Sequence, residues 1–73
     1  MNYPKLVWKK DYKNYGIHAY KYFPSGMIEI HAFDYECDSL EDVYTNKFLD
    51  YSKQEILYIV KDELNSLGVN NES

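Results

Sequence analysis

The chain has 73 residues, 45% hydrophobic and 27% charged, with a net charge of −4. That length makes one domain, burying about 60% of the surface its unfolded form exposes, and the composition is that of a folded rather than a disordered chain. The lone cysteine, Cys37, excludes an internal disulfide, no apolar run approaches the roughly 18 residues of a membrane span, and no arginine accompanies the eight lysines.

In chain order, Leu6-Val7-Trp8-Lys9-Lys10 reads as a first strand, with Pro4 tolerated at its start or on a sheet edge. Asp11 to Asn14 is turn-like, and Tyr15 to Phe23 is an aromatic-rich second strand. Pro24-Ser25-Gly26 predicts a three-residue hairpin loop leading into a third strand, Met27 to Glu36. That loop length places Phe23 opposite Met27, Lys21 opposite Glu29, Ile17 opposite Phe33 and Tyr15 opposite Tyr35 on one face. Tyr22–Ile28, Tyr20–Ile30 and His18–Ala32 then share the other. A four-residue first turn would add Leu6 and Trp8 to the Ile17 face.

Ser39-Leu40-Glu41-Asp42 resembles a capping box, and Leu40, Val43, Tyr44 and Phe48 follow at helical spacing, so a short helix is expected there. The last helix is marked at both ends. Ser52 and Glu55 form a capping box with Tyr51 and Ile56 as its staple, Ile56, Val60, Leu64 and Leu67 make the apolar stripe, and Gly68 with Val69 suits a left-handed stop. The expected fold class is α+β, βββα-like: about three antiparallel strands, a short helix and a capped C-terminal helix. The whole of 1–73 is read as a single domain with 70–73 as a frayed tail.

Candidate chemistry is sparse. In the register above His18 and His31 lie on opposite faces. His31 and Cys37 share strand parity but stand roughly 20 Å apart along a strand, beyond the reach a catalytic Cys–His pair needs. Asp34, Glu36 and Asp38 have the opening spacing of a calcium loop, which fails because Ser39 stands where glycine is needed and Thr45 where a bidentate glutamate is needed. The three glycines fall at strand, turn and helix end, leaving no phosphate loop. No catalytic residue, metal site or cofactor is indicated, and the expectation is a non-enzyme.

Charge is unevenly spread. Residues 1–28 carry +4, residues 29–46 carry −6 and residues 47–73 carry −2. The acidic block Asp34, Glu36, Asp38, Glu41 and Asp42 has no compensating lysine, and is expected to meet a basic surface on a protein partner. The sheet face bearing Tyr20, Tyr22, Ile28 and Ile30 is the second expected contact, most simply a two-fold homodimer, because one main helix covers only one face. The nine tyrosines suit an interface as well as a core. The alternative is a nucleic-acid-binding accessory domain using Lys5, Lys9, Lys10, Lys13 and Lys21 with Trp8, Tyr12 and Tyr20. The absent arginine and negative net charge count against it.

In profile (short, acidic, motif-free, rich in Lys, Tyr, Asn and Ile without arginine) the chain resembles in kind small phage proteins that block host nucleases, repair enzymes or defence systems. That resemblance implies an inhibitor acting by binding, or by masking or mimicking nucleic acid. The lone cysteine and the absence of an apolar leader point to the cytoplasm, with no membrane partner.

Overall fold

The computed structural model describes residues 3–36 and 41–70, the last three by their backbone only. The elements run β1 (Tyr3–Tyr12), β2 (Tyr15–Phe23), β3 (Ile28–Asp34), β4 (Asp42–Phe48) and α1 (Lys53–Asn70). The strands form one antiparallel sheet in chain order, β1-β2-β3-β4, so every connection is between neighbours. The α+β class is as expected, with four strands in place of about three.

The fourth strand replaces the short helix expected after residue 39. Tyr44 and Phe48, four residues apart, share a face in a helix and in a strand alike, so their spacing does not discriminate. The β-branched and aromatic run Val43-Tyr44-Thr45 and pairing along β3, from Ile28↔Phe48 to Phe33↔Asp42, decide for the strand. The proposed Ser39 cap lies outside the described residues.

The β2–β3 register also differs from expectation, by one residue. Tyr22 N–H donates to Met27 O at 2.8 Å and Gly26 N–H to Tyr22 O at 2.7 Å, so the loop holds the four residues Phe23 to Gly26. Its Phe23–Pro24 bond is cis, and Gly26 takes a φ of 84°, where glycine has no steric penalty. The pairs are therefore Ala19↔Ile30, Ile17↔Ala32 and His18↔His31. Because side chains alternate, a one-residue slip exchanges the faces of one strand relative to the other.

With that register the aliphatic residues converge. Ile17, Ala19, Ile30 and Ala32 form one face with Phe48 of β4, and Ile56, Val60 and Leu64 of α1 pack onto it; all eight are buried. Fully burying each Ile, Leu or Val contributes roughly 1.5–3 kcal/mol. A bulge between Leu6 and Trp8 in β1 turns Trp8 toward this core and leaves Leu6 opposite Tyr20, so the two do not share a face.

The helix starts as the sequence indicates. Ser52 N–H donates to Glu55 Oε1 at 2.9 Å and Glu55 N–H to Ser52 Oγ at 3.1 Å, the reciprocal bonds of a capping box. Its end differs: the helix continues through Gly68 to Asn70 instead of stopping at Gly68. Tyr12 Oη and Lys13 Nζ both donate to Asn65 Oδ1, at 3.0 and 2.7 Å, tying the β1–β2 end to α1.

Candidate functional site on the open face of the sheet

The alternation that sends Ile17, Ala19, Ile30 and Ala32 beneath the helix sends His18, Tyr20 and Tyr22 of β2, and Glu29, His31 and Phe33 of β3, to the opposite face. There the rings form a continuous ladder. Tyr35 meets Phe33 edge-on at 5.2 Å between centroids, Phe33 meets His18 at 5.1 Å, His18 meets Tyr20 at 6.4 Å and Tyr20 meets His31 at 5.6 Å. The His18–Tyr20 pair is tilted and the others are edge-to-face, a geometry that contributes about 0.5–1.5 kcal/mol beyond buried area. Gly16 makes room for the first rung: a Cβ there would stand 2.6 Å from Tyr35 Oη and 2.7 Å from Phe33 Cζ.

Carboxylates border the ladder. Tyr35 Oη donates to Asp11 at 2.6 Å, a bond that raises the tyrosine's pKa. His31 lies between two more, with Nδ1 at 2.7 Å from Asp42 Oδ2 and Nε2 at 3.2 Å from Glu29 Oε1. Both ring nitrogens face acceptors, and only the imidazolium has two N–H groups to give them. The hydrogen bond to Asp42 is the main cause of a raised His31 pKa, with Glu29 adding to it against partial burial. Tyr22 Oη donates to the same Glu29 Oε1 at 2.8 Å, and that bond, followed by the one from His31, lowers the Glu29 pKa. In return the tyrosine's own pKa is raised.

Between ladder and carboxylates is an open depression of about 390 Å³, lined by Pro4, His18, Tyr20, Glu29, His31, Phe33 and Asp42. It has neither a nucleophile set against a base nor a glycine-rich cradle. Among the described residues no group of three or more His, Cys, Asp or Glu side chains is arranged to hold a metal ion.

The residues singled out from sequence are redistributed. Tyr20 and Tyr22 lie on the open face, whereas Ile30 is fully buried under the helix and Ile28 packs against that core, so the four do not make one surface. His18 and His31, expected on opposite faces, are cross-strand partners. Of the acidic block, Asp34 is engaged locally, accepting from Asn14 Nδ2 at 2.6 Å and from Glu36 N–H at 2.8 Å. Asp42 is bound to His31, Glu36 and Glu41 are exposed, and Asp38 lies outside the described residues together with Cys37.

The lysines divide between the faces: Lys9, opposite His18, and Lys47, opposite Glu29, share the open face, while three others lie at rings on the helix side. Lys53 Nζ stands 5.3 Å from the Trp8 ring centre, and Lys13 and Lys61 stand 5.4 and 5.2 Å from that of Tyr12. His18, His31, Phe33 and Tyr35 were not recognised as a set from sequence. The available signal was period-two alternation, with aliphatic Ile28, Ile30 and Ala32 interleaved with Glu29, His31 and Phe33.

No protein-family model, curated protein or solved structure matches this chain significantly. No helix among the described residues is long and apolar enough to cross a membrane.

Proposed function

We propose that this chain is a protein-interaction module whose contact surface is the open face of the sheet, and that it acts by occupying a surface on a partner protein. The observation that supports this reading is the ring ladder from Tyr35 to His31, edged by Asp11, Glu29 and Asp42, on the face opposite the packed helix. Tyrosine and other large rings with polar tips suit contact surfaces because they offer much area for little conformational entropy. An inhibitor of a nucleic-acid enzyme or of a defence protein is one form such a binder takes, since those targets carry the basic surfaces that a carboxylate rim complements. A second copy of the chain is another.

The nucleic-acid alternative has less support. Rings on a sheet stack unpaired bases, and Lys9 and Lys47 pair opposite residues of this face, but Asp11, Glu29 and Asp42 edge the ladder and would repel phosphates, while Lys13, Lys53 and Lys61 sit at rings on the helix side.

Affinity capture from source cells with matched variants tests the reading. Tyr20→Lys should lose partners that the parent retains, while Tyr58→Lys, on the exposed side of α1, should keep them. Sedimentation of the parent and Tyr20→Lys distinguishes self-association from a different partner. Equal capture by all three proteins would exclude the open face, and tight, steeply salt-dependent binding of single-stranded nucleic acid would replace the proposal.

A further inference from the structure

We infer that the depression on the open face seats one cationic side chain of the partner, a guanidinium above all, against Tyr20, Phe33 and the carboxylates of Glu29 and Asp42; this rests on the reading of that face as the contact surface. The walls select the charge. Aromatic rings attract a cation through their quadrupole, and carboxylates meet guanidinium with parallel charge-assisted hydrogen bonds. Glu29 receives both its Tyr22 and His31 contacts at Oε1, and Asp42 meets His31 at Oδ2, so Oε2 and Oδ1 take part in none of these bonds. An anion would be repelled here, and an apolar group would have to strip water from the carboxylates without replacing its hydrogen bonds. No lysine lines the depression, and of its lining residues His31 is the one held between two carboxylates.

This arrangement makes binding compete with a proton. His31 is faced by Glu29 on its own strand, by His18 and Tyr20 of β2 and by Asp42 and Thr45 of β4, with Lys47 opposite Glu29. A guanidinium drawing on the same carboxylates disfavours the charged imidazole. By reciprocity, protonation of His31 weakens binding of the guanidinium.

Nuclear magnetic resonance titration with three blocked amino acids tests the inference: N-acetyl-arginine methylamide, its lysine counterpart, and the neutral isostere N-acetyl-citrulline methylamide. The arginine probe should shift Tyr20, Glu29, His31, Phe33 and Asp42 saturably in the millimolar range, lysine more weakly, and citrulline not at all. Saturating arginine probe should lower the midpoint of the His31 imidazole titration. Glu29→Gln should weaken the arginine probe by about fivefold or more, and Tyr58→Ala should leave it unchanged. Equal shifts from citrulline, or no saturable shift from arginine in the parent protein, overturn the inference. If the arginine probe fails while Tyr20→Lys still abolishes partner capture, the contact surface stands and the cation site falls. If Tyr20→Lys leaves capture intact, the reading beneath it falls.

Discussion

The two faces of the sheet are cut from the same central strands and obey different physics. β2 gives Ile17 and Ala19 to one face and His18, Tyr20 and Tyr22 to the other; β3 gives Ile30 and Ala32 against Glu29, His31 and Phe33. The helix-covered face is aliphatic, and its two alanines leave room for Ile56, Val60 and Leu64 to approach. Its cohesion is water exclusion, which has no direction and tolerates no charge. The open face is held by ring edges and directed hydrogen bonds, in groups that stay partly wet. Stability is thus concentrated on one side of a single layer, leaving the other free to be chemically specific.

The sharpest test introduces the same charge on each side. Ile30→Lys buries an ammonium in a fully enclosed site and should leave no cooperative unfolding transition. Tyr20→Lys removes two partly exposed ring contacts, to His18 and His31, and should cost about 1 kcal/mol, or roughly 4–8 °C in a melt. Circular dichroism melts decide it. Similar destabilisation by both would mean that the two residues share an environment, as the register expected from sequence had them.

Gly16→Ala reaches the open face through the backbone. The new Cβ would press on the far ends of the Tyr35 and Phe33 side chains, which can swing aside, so the expected cost is modest, about 1–2 kcal/mol. The ladder should break at that rung, with lost ring-current shifts at His18 and a lower Tyr35 pKa as its bond to Asp11 opens. Unchanged aromatic shifts would sink this account. Ser52→Ala acts on the cover alone: it removes one observed capping bond and should cost about 1 kcal/mol. Amide exchange should accelerate along α1, while the His18 and Tyr20 ring shifts stay put.

The helix start was legible because capping is local: Ser52 and Glu55 announce it within four residues. Its end was not, because Gly68 is compatible with a stop and with continuation. The hairpin was legible in kind, while its register hung on one extra loop residue that no short-range signal fixed. The better guide was the aliphatic pattern. Bringing Ile17 and Ala19 onto one face with Ile30 and Ala32 requires an odd residue to pair with an even one, which the observed register satisfies. The His31 site was illegible for a further reason. Asp42 reaches His31 only because β4 pairs with β3, and the residues of β4 fit a helical spacing equally well.

The smallest expected effect is the pH dependence of stability, and it isolates the open face because among the described residues no titratable side chain is fully buried beneath the helix. His31 has a raised pKa in the fold, mainly through Asp42 and then Glu29, so its contribution is complete below its ordinary value of 6.5. That contribution is lost as pH rises through the higher folded value. Glu29 has a lowered pKa, mainly through Tyr22 and then His31, so its contribution is complete above its ordinary value of 4.5 and lost as pH falls through the lower folded value. Both are fully present only between 4.5 and 6.5. The stability difference between parent and His31→Gln, from urea melts across pH, should therefore peak in that window and shrink on either side. The side chains of His31, Glu29 and Asp42 are 30%, 21% and 38% exposed, so solvent screening should hold the peak below about 1 kcal/mol. In Glu29→Gln the acid-side decline should weaken while the alkaline-side decline persists through Asp42. A difference between parent and His31→Gln that is flat from acid to alkaline pH would mean the imidazole carries no charge between its two carboxylates. The competition between that charge and a partner's cation would then have no basis.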